Sequence, residues 1–278
     1  PYCYRCPFGQ KVESCKRECI LHVDEIIQYE SPDKIAAIMM EGVTGSNGLI
    51  VPPDDYWPAI REICDKYGIL LISDEVMSGW GRTGKWFAVD NWDVEPDIIT
   101  TAKGITSGYV PLGAVIVSEA IADYFADRYL YAGLTYSGHA LACAAALATI
   151  EVYEDDGLLD NSVKMGNHLG KALEDIKKRH PSVGDVGEFG LFSAIELVEN
   201  RETKKPLPAE VMADVKKELL DSGLFTFIMV KDIGTMIFIV PPLCITKEQL
   251  EEGLALVEKA LEFSDKKVKK YEDIELRK

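Results

Sequence analysis

The stretch ILLISD at residues 69–74 decides the fold class, because its short apolar run ends abruptly in the carboxylate of Asp74. A second run, DIITTAK at residues 97–103, ends in the amine of Lys103. Short runs rich in β-branched residues are typical of strands that are buried on both faces of a parallel sheet. Ligands of such sheets bind beyond the carboxyl ends of the strands, so we expect Asp74 and Lys103 to border a ligand site.

The segments on either side of these two runs alternate between predicted helices and strands. Asp54 or Asp55 caps a helix that ends at Tyr67. Further strands are expected over residues 34–40 and 112–117, and the second of them is also expected to be buried on both faces. Strands that alternate with helices indicate an α/β core with a largely parallel sheet.

The acidic stretch at residues 154–157 predicts a hinge between two domains. We expect a large domain over residues 1–155 and a smaller α+β domain over residues 156–278. Within the smaller domain the hydrophobic pattern predicts two helices, at residues 161–179 and 209–222. It also predicts three strands, at residues 191–198, 225–230 and 236–240.

A last helix is marked at its start by a capping box, which Thr246 and Gln249 form. We expect this helix to run to about Phe263. The charged tail at residues 264–278 is expected to fray.

The composition argues against two classes of partner. The net charge is −16 and the basic residues are scattered, so nucleic acid is not an expected partner. No apolar run approaches the roughly 20 residues that a membrane-spanning helix needs, and the opening residues lack the charged-then-apolar pattern that is expected of a signal segment. We therefore expect no membrane partner and take the cytoplasm as the default compartment.

Four of the seven cysteines fall within the first 19 residues, at Cys3, Cys6, Cys15 and Cys19. Their gaps of two, eight and three residues could in principle ligate zinc, but the middle gap is short for a zinc ribbon. A loop packed with reduced, small apolar thiols is the favoured interpretation, and no metal site is predicted.

Asp74 and Lys103 together point to pyridoxal 5'-phosphate (PLP) chemistry. A carboxylate at the end of a buried strand is costly unless a cation or several donors accompany it. An amine that is partly desolvated there becomes nucleophilic, as Schiff-base formation requires. A PLP site needs such a lysine and an acid that keeps the pyridine nitrogen protonated. Taken singly, each residue is better explained without a cofactor: Asp74 as a helix cap and Lys103 as a solvated loop residue.

Three motifs resemble those of the class III PLP-dependent aminotransferases, in the order and spacing of that family. They are LLISDEVMSGWGRTGKWF at residues 70–87, DIITTAKG at residues 97–104 and GLTYSGH at residues 133–139. The likeness continues through PPLCIT at residues 241–246. The opening PYCYRCPFG resembles the branch that contains taurine:pyruvate and related ω-amino-acid:pyruvate aminotransferases.

The resemblance implies a fold and a set of cofactor contacts. It implies the PLP-dependent transferase fold type I, with helices on both faces of the sheet. It makes Lys103 the residue that forms the Schiff base and shuttles the proton, and Asp74 the partner of the pyridine nitrogen. Val76 would pack against one face of the ring, and Thr135 would bind the phosphate held by a neighbouring subunit. A homodimer with shared active sites is thereby implied.

The resemblance also implies a reaction and a substrate pocket. We expect amino transfer from an ω-amino acid or amine to pyruvate or another 2-oxo acid, by a ping-pong route. Glu41 corresponds to an acid near the substrate pocket. Lys231 lies near the position where many relatives have the arginine that binds a substrate carboxylate, and lysine cannot form the same bidentate contact.

The sequence departs from the family pattern at several points. The family's N-terminal region, which supplies a phosphate-binding Gly-Ser loop and a ring-stacking aromatic residue, has no counterpart in these 278 residues. Gly187 and Glu188 replace a common Arg-Gly pair, and Ala140 replaces a proline. Weak cofactor binding is therefore expected, and two alternatives stay open: a catalytically incompetent fragment, or a PLP aminomutase or decarboxylase of the same family.

Overall fold

The computed structural model describes residues 2–275, which form two compact units. One unit takes the residues up to Gly45 together with Ile50–Leu159. The other takes Ser46–Leu49 together with the residues from Asp160 onward. The acidic stretch at 154–157 forms the C-terminal end of a helix and the turn that follows it.

The first unit contains a four-stranded sheet in which the strands follow one another in chain order. Its strands are β1 (Ala37–Glu41), β2 (Leu70–Asp74), β3 (Ile98–Thr101) and β4 (Ala114–Val117). β1, β2 and β3 are parallel, and β4 runs antiparallel to β3. The carboxyl ends of the three parallel strands therefore meet at one edge of the sheet.

The prediction that the strand near residues 112–117 is buried on both faces is wrong. β4 is an edge strand, and its residues Val115, Ile116 and Val117 are 66%, 43% and 41% exposed. It pairs on one side only among the described residues, so its β-branched side chains reflect strand propensity rather than burial.

Four α-helices accompany this sheet: α1 (Glu18–Glu30), α2 (Tyr56–Tyr67), α3 (Glu119–Tyr124) and α4 (Ala140–Asp155). α2 buries residues at helical spacing, Trp57, Ile60 and Cys64 among them, and ends at Gly68 in the left-handed conformation. The Trp57 indole donates to the backbone oxygen of Gly42 at 3.0 Å. This bond ties α2 to the loop that follows β1.

Asp97 joins the start of β3 to its neighbours. Its Oδ2 accepts from the backbone N–H of Leu71 at 2.7 Å and from the guanidinium of Arg61 at 2.8 Å. One carboxylate thereby links β3 to β2 and to α2, which fixes the alignment of the two strands that lead to Asp74 and Lys103.

The second unit is an antiparallel sheet with three helices. The sheet order is β5 (Val183–Phe189), β6 (Phe192–Asn200), β9 (Gly234–Ile239) and β8 (Ile228–Lys231), and β7 (Lys205–Pro206) pairs with β6. The helices are α5 (Leu158–Arg179), α6 (Ala209–Asp221) and α7 (Lys247–Glu275). β6 is buried along most of its length and forms the centre of this unit.

The capping box at the start of α7 is confirmed. The backbone N–H of Thr246 donates to Oε1 of Gln249 at 3.0 Å, and the N–H of Gln249 donates to Oγ1 of Thr246 at 3.3 Å. None of the helices in the described part of the chain combines the length and the apolar character needed to cross a membrane.

The predicted end of the last helix near Phe263 is wrong, because α7 continues to Glu275. Ser264 and Val268 are buried and extend the apolar face of the helix beyond the expected end. Asp265 accepts from Oγ and from the backbone N–H of Ser182 at 2.6 and 3.0 Å, so the start of the charged segment is anchored rather than frayed. Residues 276–278 of the predicted tail lie outside the described residues.

Candidate active site

Three polar residues lie side by side where the parallel strands of the first unit end. Strand register pairs Glu41 of β1 with Asp74 of β2, and Asp74 with Thr100 of β3. Register partners project from the same face of a sheet, so the three side chains share one face. Lys103 follows three residues after Thr100, and the structure thus brings Asp74 and Lys103 to the same edge.

Asp74 is half-buried and its Oδ1 accepts from the backbone N–H of Val76 at 3.0 Å. This contact turns the chain at the end of β2 and fixes one carboxylate oxygen. None of the ion pairs found among residues 2–268 involves Asp74, so among these residues no cation accompanies its carboxylate. Val76 itself is half-buried beside it.

Thr100 contributes an unexpected feature to the same face. Its Oγ1 is buried and has no hydrogen-bond partner among the described residues. A buried hydroxyl without a partner loses its hydration at a cost of about 1–3 kcal/mol. Because Thr100 is the register partner of Asp74, its hydroxyl is a candidate contact for a polar molecule bound beside Asp74.

Glu75 is a structural carboxylate that the sequence reasoning missed. It is fully buried, and its two oxygens accept four hydrogen bonds: from Ser73 Oγ at 3.1 Å, Ser78 Oγ at 2.6 Å, and the backbone N–H groups of Ala88 and Val89 at 3.0 and 3.1 Å. Burial raises the pKa of Glu75, and the four donors oppose that shift. The alternation of side chains along a strand could have predicted this difference, because it places Ser73 and Glu75 on the face opposite to Asp74.

The segment around Lys103 is held by aromatic residues. Trp80 Nε1 donates to Oγ1 of Thr101 at 2.5 Å, and the Tyr153 hydroxyl donates to the backbone oxygen of Gly104 at 2.9 Å. A Cβ added at Gly104 would lie 2.6 Å from Cβ of Trp80, so only glycine fits there. Burial raises the pKa of Tyr153.

Lys103 is exposed, so the described residues do not provide the partial desolvation that would make its amine nucleophilic. Its φ of 45° lies in the left-handed region, which lysine rarely adopts. Lys103 is the first residue of a short 3₁₀ helix, Lys103–Thr106. In this helix Ile105 and Thr106 are buried, whereas Lys103 is not. The unusual backbone conformation is typical of residues at functional sites.

Glu41 ends β1 and is half-buried. Its Oε2 accepts from the backbone N–H of Gly45 at 2.8 Å. The carboxylate is therefore tied to the loop that follows β1, while its register position keeps it next to Asp74.

Thr135 is exposed and starts a turn that ends at Gly138, where φ is 68°. The turn is closed by the N–H of His139, which donates to the backbone oxygen of Tyr136 at 3.2 Å. His139 then precedes the first residue of α4. This placement agrees with a role for His139 in shaping the turn.

Lys231 belongs to the second unit, at the end of β8, and is exposed. Its Nζ donates to Oδ1 of Asn47 at 3.0 Å.

In the same unit Glu188 is half-buried, and burial raises the pKa of its carboxyl. A Cβ added at Gly170 would lie 2.6 Å from Oε2 of Glu188, so the glycine of α5 makes room for this carboxylate.

The four early cysteines, Cys3, Cys6, Cys15 and Cys19, form no disulfide in the described residues and are half-buried. Within residues 2–275 no group of three or more His, Cys, Asp or Glu side chains is arranged to hold a metal ion.

Comparison with known proteins gives the family of the chain. A family model described as "Aminotransferase class-III" matches residues 2–261. A leucine/methionine racemase of Thermococcus litoralis is 40% identical over 262 residues, which are 94% of this chain and 58% of that protein. A taurine–pyruvate aminotransferase of Bilophila wadsworthia is 37% identical over 254 residues, 88% of this chain and 56% of that protein. The chain thus spans a little over half the length of these relatives.

Solved structures agree with this result. A taurine:2-oxoglutarate aminotransferase from Bifidobacterium kashiwanohense, solved in complex with PLP and glutamate, superposes with a TM-score of 0.90 at 45% identity, covering 96% of this chain and 61% of that one. An (S)-enantioselective ω-transaminase from Thermomicrobium roseum gives a TM-score of 0.87 at 39% identity, covering 94% and 58%. The predicted fold of the PLP-dependent transferases is thereby confirmed, and the chain belongs to the class-III aminotransferase family.

Proposed function

We propose that the protein is a PLP-dependent aminotransferase that moves an amino group from an ω-amino acid or amine, such as taurine or β-alanine, to pyruvate or another 2-oxo acid. The observation that carries this proposal is the sheet edge at which Asp74 ends β2 and Lys103 follows β3. Relatives named taurine–pyruvate and taurine:2-oxoglutarate aminotransferase support the choice of substrates.

The residues at this edge fit PLP in their chemistry. Asp74 is half-buried and has no ion-pair partner among residues 2–268, so its carboxylate is available to a protonated ring nitrogen. The unpartnered hydroxyl of Thr100 on the same face offers a further polar contact. When bound, PLP supplies an electron sink that stabilises negative charge on the substrate carbon.

Each side chain has a distinct task in this proposal. Lys103 would hold the cofactor covalently, and its freed amine would carry a proton between the substrate carbon that bears the amino group and the cofactor. Asp74 keeps the ring nitrogen protonated, while its contact with the N–H of Val76 holds the carboxylate in place. Val76 packs against the ring, and the hydroxyl of Thr135 donates to the phosphate.

Lys231 and Glu41 are proposed to select the substrate. An exposed ammonium such as that of Lys231 acts as a point charge, which suits a sulfonate or carboxylate without the bidentate geometry that an arginine would impose. Its bond to Asn47 restricts where the amine points. The second oxygen of Glu41 is proposed to pair with a cation in the substrate pocket.

The first test is covalent trapping of the cofactor. The purified chain is incubated with PLP, reduced with borohydride and digested for mass mapping. We expect the reduced cofactor on Lys103. Lys103→Ala should abolish this label, whereas Lys85→Ala, which changes an exposed lysine of the same unit, should leave it unchanged. Label spread over many lysines in the unchanged chain would contradict the proposal.

An incompetent fragment is the alternative that this experiment separates from an enzyme. Such a fragment would keep the fold and Lys103 but would not hold PLP at a defined place. Activity is then measured as alanine formed from pyruvate with taurine or β-alanine as donor. A specific label without amino transfer would support cofactor binding and reject the activity.

Racemisation is a second candidate reaction, because the relative from Thermococcus litoralis at 40% identity is named a leucine/methionine racemase. In this reaction a proton would be removed from the α-carbon and one would be delivered to its opposite face, and no amino group would be transferred. Chiral analysis of L-leucine or L-methionine after incubation distinguishes it from amino transfer. Release of carbon dioxide would instead identify a decarboxylase, and a moved amino group an aminomutase.

We also propose that two copies of the chain share their sites, with Thr135 reaching the phosphate bound by the other copy. Apolar side chains are exposed around Thr135 and on α4: Tyr129, Tyr131, Leu134, Tyr136, Leu141 and Leu147. Sedimentation of the unchanged chain should give a dimer that Leu147→Asp weakens. The matched change Leu220→Asp, at an exposed leucine of α6, should leave the mass unchanged.

A further inference from the structure

The four early cysteines surround one small cavity, and the proposed function uses none of them. The cavity measures about 30 Å³ and is lined by Cys3, Cys6, Cys15 and Cys19. All four are half-buried free thiols, and we call them the cysteine lobe. The other cysteines of the chain lie outside it, with Cys64 buried and Cys143 and Cys244 exposed.

A guanidinium contacts one thiol of the cysteine lobe. Arg17 Nη1 lies 2.7 Å from Sγ of Cys15. The same side chain is fixed by Asp55, whose carboxylate oxygens accept from Nε at 2.7 and 2.9 Å. Arg17 also has a φ of 59°, a left-handed conformation that turns the chain just before α1. Cysteines held beside an arginine are, as a class, the more readily alkylated and oxidised.

The remaining thiols provide partners for a reaction at Cys15. Burial raises the pKa of Cys3, and the neighbouring Cys19, Cys15 and Cys6 raise it further. Burial likewise raises the pKa of Cys19, which is also influenced by Cys15. The geometric basis for a reaction among the thiols is that all four line the same small cavity, although no metal-binding arrangement is found among residues 2–275.

We propose that the cysteine lobe is an oxidation site, in which Cys15 reacts first with hydrogen peroxide and then forms a disulfide with Cys3 or Cys19. In the first step the sulfur of Cys15 attacks peroxide: an S–O bond forms, the O–O bond breaks, and one water leaves. The sulfur is oxidised by two electrons to a sulfenic acid. In the second step another thiol sulfur attacks, the S–S bond forms, the S–O bond breaks, and its proton leaves in a second water.

The test compares thiols within the same 278-residue chain. Limiting iodoacetamide is added to the reduced protein, and alkylation is followed at each cysteine by mass spectrometry. We expect Cys15 to react at least about threefold faster than the exposed Cys143 and Cys244, despite being half-buried. Stoichiometric hydrogen peroxide should then give one intramolecular disulfide that contains Cys15, and Cys15→Ser should remove it.

Two variants separate the guanidinium from the fold. Arg17→Gln should slow alkylation of Cys15 to the rate of the exposed cysteines. Asp55→Asn removes the charge of the ion pair but keeps one oxygen that can accept from Nε of Arg17, so the guanidinium should stay beside Cys15 and the rate at Cys15 should stay within about twofold of the unchanged chain.

Three outcomes would overturn the proposal. They are alkylation of Cys15 no faster than that of Cys143, a peroxide-induced disulfide that omits Cys15, and stoichiometric zinc in the purified protein whose removal alone exposes the four thiols.

Discussion

Trp80 packs against the backbone of Gly104 so closely that a Cβ added at Gly104 would lie 2.6 Å from Cβ of the tryptophan. Gly104 directly follows Lys103, and its backbone oxygen also accepts from the hydroxyl of Tyr153. The position of the lysine backbone therefore depends on two aromatic residues that are remote from it in sequence.

Gly104→Ala is predicted to displace the segment that carries Lys103. Because the methyl group overlaps Trp80, we expect a loss of about 1–3 kcal/mol in the free energy of unfolding and a weaker PLP label on Lys103. Urea unfolding and borohydride trapping measure the two effects. Gly253→Ala, at a glycine of α7 where a Cβ meets nothing within 4 Å, is the control and should stabilise the chain slightly. Equal stability of both variants would contradict the prediction.

Asp74→Asn is predicted to reduce amino transfer while leaving the fold intact. The asparagine oxygen still accepts from the N–H of Val76, but it carries no charge for the ring nitrogen. We expect kcat/KM to fall by about 100-fold or more, with the melting temperature nearly unchanged. Asp93→Asn, at an exposed acid of the same unit, serves as the matched control. A variant that retains full activity would remove Asp74 from the proposed chemistry.

Glu75→Gln is predicted to destabilise the first unit. The amide nitrogen replaces one of the two carboxylate oxygens and faces the N–H of either Ala88 or Val89, so one buried donor loses its acceptor. We expect a cost of about 1–3 kcal/mol in the free energy of unfolding. Glu95→Gln, at an exposed glutamate, should change stability by less than about 0.5 kcal/mol. Unchanged stability of Glu75→Gln would show that the four bonds contribute little.

Glu196 is predicted to make the stability of the second unit depend on pH. Burial raises the pKa of Glu196 from 4.5 to about 8. Between these two values the folded state binds more protons than the unfolded state, so stability falls as the pH rises from about 4.5 to about 8. The slope contributed by one group is at most about 1.4 kcal/mol per pH unit. Glu196→Gln should flatten the urea-midpoint profile in this window, and an unchanged slope would contradict the assignment.

Local sequence patterns predicted those parts of the fold that depend on local chemistry. The apolar runs that end in Asp74 and Lys103 gave two neighbouring parallel strands, because strand length and β-branching are visible in the chain itself. The reciprocal bonds of Thr246 and Gln249 are likewise local. That Asp74 and Lys103 lie at the same end of the sheet could be predicted because ligand sites in parallel sheets lie beyond the carboxyl ends of the strands.

Other features depend on contacts that are distant in sequence. The orientation and exposure of β4 are set by its place at the sheet edge, which its β-branched residues do not reveal. α7 continues past Phe263 because Asp265 meets Ser182 of another segment. Glu75 finds its backbone donors 13 and 14 residues away, so only the folded chain distinguishes it from Asp74.

The four-bond cluster at Glu75 also provides a built-in reporter of motion. The amide protons of Ala88 and Val89 point at a carboxylate inside the protein rather than at water. They can exchange with deuterium only when the segment between β2 and β3 opens. Their exchange rates therefore measure, without any bound molecule, how often the hydrogen bonds to Glu75, the residue next to Asp74, open.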